Sequence, residues 1–255
     1  DGIFNQKYLK MIDQFPQKSF FKSFNYDPKI VIDTSKFWIK AQEKINENNK
    51  LNLFKTHNIL GAINGNNFTN IHNTMGCIYI VRDPRNIITS LKNHYEINDD
   101  EALTFMMNEK KFIYDYHSKN DYSDFQFVSS WEKNYKSWID QKVFPVKLIK
   151  YESLCDKTFD IFEGIIEFIN KLSNSKKIFD SKKAKNSIKS STFNKLKKIE
   201  ETEGFQESIL SKKKSKKIPF FHLGPKNDWK KIFNYEYQKK LNIKFDKNLK
   251  ELDYI

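Results

Sequence analysis

Lys55 and His57 stand two residues apart in "FKTHN", and Arg82 stands eight residues before Ser90 in "CIYIVRDPRNIITS". Two kinds of chemistry suit them. Alternate residues of a strand share a face, so Lys55 and His57 could address one reaction centre. A histidine there can take a proton from a hydroxyl near neutral pH, although a lone histidine is more often structural. Arginine offers a planar fork that grips a phosphate through two hydrogen bonds, which the point charge of lysine cannot do. Ser90 falls about two turns into the helix that Asp83 and Pro84 would start. An anion lying on that helix flank, near its positive N-terminal end, could touch both Arg82 and Ser90. The plain alternative is a carboxylate partner for Arg82 and an ordinary helix serine at 90.

Arg82 and Arg85 are the only arginines among 45 Lys and Arg residues. Where lysine serves as every other cation, an arginine marks a place where geometry counts. Arg85 is read as a structural pair and is given no ligand.

Three apolar runs, 51–57, 77–83 and 146–152, turn polar at their C-terminal ends and read as buried strands. In an open parallel sheet such ends share a rim, which would gather Lys55, Thr56, His57, Arg82, Asp83 and Tyr151. Helical patterns lie between the runs. Trp131, Tyr135 and Trp138 form one core-facing stripe, and Phe162, Ile165, Ile166 and Ile169 form another. Strands alternating with helices predict an α/β fold. The stretch 98–128, rich in aromatics and Met, lies between the helix that Asp83 and Pro84 would start and the Trp131 helix and is expected to help wall an acceptor pocket.

The formal charge of +13 favours anionic partners. Part of it follows the surplus of Lys, Asn, Ile, Phe and Tyr that AT-rich codons favour. The lysine-rich stretch 173–217 has few interleaved aromatics and no nucleic-acid motif, so it reads as a solvated face. Hydrophobic residues at 38% suffice for the core of one domain. No apolar run reaches the ~18 residues of a membrane span. Cys77 and Cys155 are too few for a disulfide scaffold, which suggests a reduced, cytoplasmic setting. His72, His94, His117 and His222 show no metal-ligand spacing, and no metal is expected. None of the seven glycines sits in a G-x-x-x-x-G-K-[ST] loop.

"FKTHN", "CIYIVRDPRNIITS", "VKLIKYESL", "SSTFNKL" and "FFHLGPKNDWKKIF" occur in that order. Together they resemble the sulfotransferases that use 3'-phosphoadenosine-5'-phosphosulfate (PAPS), and the resemblance covers nearly the whole chain. It implies a three-layer α/β fold with a central parallel sheet, like that of the P-loop NTPases. It also implies roles. His57 would be the catalytic base, with Lys55 at the sulfuryl group. Arg82 and Ser90 would hold the 3'-phosphate. Tyr151 would contact the adenine and Phe193 would stack on it, beside Ser191 and Thr192. His222, Leu223 and Gly224 would close over the 3'-phosphate. PAPS would be the co-substrate, without a metal. The acceptor would be a hydroxyl (or amine) of a small molecule or glycan, with no nucleic acid or membrane span involved and a homodimer left open.

Two departures bear on this. Many members carry Arg-Lys-Gly where this chain has His222, Leu223 and Gly224. The family's phosphosulfate loop, Pro-Lys-Ser-Gly-Thr-Thr-like, lies upstream of the "KTH" strand, and nothing in residues 1–50 matches it. The expectation is one sulfotransferase domain over 1–255 that lacks its N-terminal phosphosulfate-binding loop and strand. By itself it would be poorly stable and transfer no measurable sulfuryl group. Two rivals remain: a nucleotide or small-molecule kinase of the related P-loop fold, and a non-catalytic basic protein that binds nucleic acid.

Overall fold

The computed structural model describes residues 2–4, 12–114, 120–205, 207–211 and 217–255. The chain runs through β1 (Asp13–Gln14), α1 (Trp38–Asn46), β2 (Phe54–Lys55), the hairpin of β3 (Ala62–Ile63) and β4 (Asn66–Asn67), and β5 (Cys77–Val81). Next come α2 (Pro84–Tyr95), α3 (Asp99–Met107), the hairpin of β6 (Phe112–Ile113) and β7 (Gln126–Phe127), α4 (Trp131–Ile139) and β8 (Val146–Lys150). The last part holds α5 (Tyr151–Asp156), α6 (Thr158–Leu172), α7 (Ser181–Ser190), α8 (Phe193–Glu203), the hairpin of β9 (Ile209–Leu210) and β10 (Lys217–Ile218), α9 (Trp229–Ile232) and α10 (Tyr235–Glu251).

The α/β class holds. β5 and β8 pair in parallel over their full length, from Cys77 against Val146 to Val81 against Lys150. Parallel neighbours require a long crossover, and α2 to α4 supply it. The run 51–57 departs from expectation. Only Phe54 and Lys55 are strand, paired in parallel with Asp13 and Gln14 and not with β5. A two-residue pairing cannot cover both faces, and Leu51, Leu53 and Phe54 stay exposed.

Local chemistry sets α2 where the sequence places it. The Asp83 carboxylate accepts the Arg85 N–H at 2.9 Å as an N-cap, and Pro84 opens the helix. Tyr135 and Trp138 are buried as their stripe predicts. The stripe on α6 is only half-buried. The lysine-rich stretch 173–217 contains two helices, and its Lys212–Lys216 run lies outside the described residues.

Two aromatic-rich cores flank the parallel pair. Phe15, Phe21, Trp38, Phe68, Phe125 and Trp138 pack on the β1–β4 side. Ile88, Met106, Trp229, Phe233, Phe245 and Leu249 join α2, α3, α9 and α10. Val81, Tyr135 and Leu252 connect β5 to α4 and the C-terminal end. Each such side chain contributes about 1.5–3 kcal/mol by leaving water. The strand end at Arg82 thus stands on a packed foundation. Among the described residues, no helix is long and apolar enough to cross a membrane.

Candidate active site

The backbone around His57 is fixed from two sides. Its N–H donates to Gln126 Oε1 at 2.5 Å, and its carbonyl accepts from Asn134 Nδ2 at 3.0 Å. Tyr79 Oη donates to Asn134 Oδ1 at 2.8 Å. The next residue, Asn58, accepts the Phe127 N–H at its side chain and the Trp138 Nε1–H at its carbonyl. β7 and α4 therefore hold the loop while the His57 imidazole stays open to solvent. Desolvation by the protein walls, with help from the Lys55 cation, pushes the ring down to about 4, against a smaller upward pull from Glu207. Water at the open side offsets part of that desolvation, and the ring is neutral near pH 7 in either case. Lys55 Nζ reaches Glu207 Oε2 at 2.6 Å.

A second constellation forms at the end of β5. The Arg82 guanidinium stacks on the Tyr151 ring at 4.3 Å. Nη1 donates to Ser90 Oγ at 3.4 Å and Nη2 to the Gly224 carbonyl at 3.2 Å. Nε is buried with no partner among the described residues. Gly224 has a φ of +55° and lies flat against Phe193. A Cβ there would overlap the ring, so only glycine lets the two segments meet. Arg82, Ser90, Tyr151, Phe193 and Gly224 thus share one wall although the sequence spreads them over more than 140 positions.

The segment that carries Gly224 is pinned to α2. Thr89 Oγ1 donates to Asn227 Oδ1 at 2.7 Å, Asn227 Nδ2 to the Asn86 carbonyl at 2.9 Å, and the Trp229 N–H to Asn86 Oδ1 at 2.9 Å. Arg85 proves structural. It is 5% exposed, its Nε and Nη2 grip Asp83 at 2.9 and 2.7 Å, Nη1 donates to Asn242 at 2.8 Å, and it stacks on Trp229 at 4.2 Å. Both arginines occupy places where a flat fork stacked on an aromatic ring is required, which lysine cannot supply.

The profile of the sulfotransferase domain matches residues 3–253. The chain belongs to the sulfotransferase domain family. Among solved structures it is similar to mouse sulfotransferase SULT7A1 complexed with PAP, at 22% identity and a TM-score of 0.43. The match covers 68% of this chain and 57% of the mouse chain. No match was found among curated proteins.

Not every expected residue of this sulfotransferase domain joins the wall. The Ser191 hydroxyl turns back to the Ser187 carbonyl at 2.7 Å. Thr192 occupies the N-cap of α8 without a side-chain cap bond. His222 is exposed, and Leu223 lends its carbonyl to the Lys226 N–H. Sequence reasoning missed Gln126, Asn134, Asn86, Asn227 and Glu207. Asn227 and Trp229 lie inside the quoted "NDW", which was the available signal for that clamp. Gln126 and Glu207 carry no local pattern. A hollow of about 580 Å³ lies elsewhere, against the start of α3, lined by Asn98, Asp99, Asp100, Glu101 and Thr104. Its carboxylates repel a phosphate, so it does not compete as the nucleotide site.

Proposed function

We propose that this sulfotransferase domain binds PAPS and moves its sulfuryl group to a hydroxyl, or an amine, of a small-molecule or glycan acceptor. The observation that carries the reading is the Arg82 wall. A guanidinium with a buried, unpartnered Nε beside a serine hydroxyl suits a phosphate monoester. Phe193 and Tyr151 flank it with aromatic faces that suit a purine. When bound, PAPS would supply a sulfuryl group already activated on a phosphate leaving group.

The protein's own residues account for the rest. His57, neutral near pH 7, accepts the proton of the attacking hydroxyl. Lys55, two residues before it, provides the cation that offsets charge developing on the transferred group. The clamp of Gln126 and Asn134 fixes the loop that bears His57, and fixed geometry is most of the catalytic advantage in such transfers. β6 and β7 lie within 98–128, and Gln126 brings that segment to His57, which supports its part in an acceptor wall; residues 115–119 of it lie outside the described residues. The free thiols of Cys77 and Cys155 support a reducing, cytoplasmic setting.

The test is protection against melting. 3',5'-ADP, the product nucleotide, should raise the melting temperature more than ATP with Mg²⁺. Stronger protection by ATP with Mg²⁺ would assign the wall to a kinase.

A further inference from the structure

Glu207 places its carboxylate on Lys55, the lysine two residues before His57. It follows α8, and the segment that carries it is tied down on both sides. Glu200 on α8 accepts the Ser208 hydroxyl together with the backbone N–H groups of Phe220 at 2.7 Å and Phe221 at 2.9 Å. Phe205 packs against both phenylalanines at 5.0 and 5.2 Å between ring centres. Ser211 donates to Glu96 at the end of α2 at 2.7 Å, and β9 pairs with β10 beyond. The carboxylate that emerges from this anchorage meets Lys55 Nζ at 2.6 Å.

The pair is exchangeable. Its side chains are 39% and 38% exposed, so water screens it and it adds about 1 kcal/mol at most. In the proposed reaction Lys55 is drawn to the anionic sulfuryl group. Glu207 is then left as a bare carboxylate beside a sulfonate, and like charges at short range disfavour that state unless another cation arrives. The molecule that arrives there is the acceptor, whose nucleophile must approach His57. The charge of Glu207 is also felt at His57 and His94, which places it within electrostatic reach of both rings.

We propose that Glu207 is a specificity residue of the acceptor site: it selects acceptors that carry an ammonium group beside the nucleophile, the ammonium replacing Lys55 on its carboxylate and freeing Lys55 for the transferring group. The assignment rests on the sulfotransferase reading of the site.

The test uses matched ligand pairs on the 255-residue chain in the presence of 3',5'-ADP and inorganic sulfate, the sulfate supplying the anion that draws Lys55 away, with binding read by calorimetry or ligand-observed NMR. The pairs are tyramine with 4-ethylphenol, and glucosamine with glucose; the members of each differ in the ammonium group. In at least one pair the ammonium member should bind about tenfold more tightly, the effect of one ionic hydrogen bond. Glu207→Gln should erase that preference while leaving binding of the neutral member unchanged and the melting temperature within a few degrees of the parent. Glu207→Lys should turn the preference toward an anionic analogue, 4-hydroxyphenylacetate. No ammonium preference in either pair, or an equal change for both members in Glu207→Gln, overturns the proposal; the latter would make Glu207 a plug on Lys55. Failure of 3',5'-ADP itself to bind would instead sink the sulfotransferase reading, so the two failures are told apart.

Discussion

Replacing Gly224 by alanine probes the junction on which the Arg82 wall depends. Two costs add. A φ of +55° is left-handed backbone, and an L side chain there costs about 1–2 kcal/mol. The new Cβ would also collide with the Phe193 ring, where even the farthest of the three ring atoms in contact would be 2.5 Å away. Normal carbon contacts begin near 3.5 Å, so the ring must move, at about 1–3 kcal/mol if its surroundings resist. Phe193 is only partly buried, which favours the lower end. The sum is about 2–4 kcal/mol. Gly65, at the tip of the β3–β4 hairpin, is the control. Its φ is +80°, and nothing lies within 4 Å of an added Cβ, so Gly65→Ala should cost only the backbone portion. Urea unfolding of both variants should place Gly224→Ala about 1–2 kcal/mol below Gly65→Ala. Calorimetry should find weaker 3',5'-ADP binding in Gly224→Ala alone. Equal stability losses, with 3',5'-ADP bound as in the parent, would mean that the contact between Phe193 and Gly224 does not shape the site.

Arg85→Met should destabilise by about 3–5 kcal/mol in urea unfolding, because the Asp83 carboxylate, 6% exposed, loses its buried partner. In a form of the protein that turns PAPS over, His57→Asn should lower turnover about 10²–10⁴-fold while 3',5'-ADP binding is kept; near-normal turnover would remove His57 from the chemistry. The His57 ring also has a pH signature. Its folded pKa lies below the ordinary 6.5, at about 4 with the walls fully drying the ring and higher to the extent that water on its open side offsets this, so below pH 6.5 the unfolded chain binds more protons and stability falls as pH falls. His57→Asn should therefore lose less stability than the parent between pH 6.5 and about pH 4, measured by unfolding at each pH.

The helix that follows Arg82 was legible because its start is local chemistry: an aspartate, a proline and an apolar repeat. So was the β5 strand, whose five residues pair along their whole length. The run at 51–57 misled because apolar residues alone do not say whether a neighbour will cover them; only Phe54 and Lys55 find one. Of the residues expected around a nucleotide, Arg82, Ser90, Tyr151, Phe193 and Gly224 meet in the structure, while Ser191, Thr192 and His222 stand apart. What could not be read was the means of assembly: Asn86, Thr89 and Asn227 exchange hydrogen bonds across 138–141 positions, and no spacing rule reports such a bond. Glu207 was hidden for the same reason. Its meeting with Lys55 depends on Glu200 gathering Ser208, Phe220 and Phe221, a tertiary event. The purpose of the second arginine became plain only with Trp229 beneath it.

In the proposed function Arg82 reads the 3'-phosphate of an adenine nucleotide. The direct measurement is a calorimetric titration of the parent and of Arg82→Lys with 3',5'-ADP and with 5'-AMP, which lacks the 3'-phosphate. Lysine keeps the charge but gives up the fork that reaches Ser90 and Gly224 and the flat stack on Tyr151. A charge-assisted bond is worth about 1–3 kcal/mol, so Arg82→Lys should bind 3',5'-ADP about 5- to 150-fold more weakly. Its affinity for 5'-AMP should not change. Equal losses for the two nucleotides, or a parent that does not prefer 3',5'-ADP over 5'-AMP, would contradict the claim.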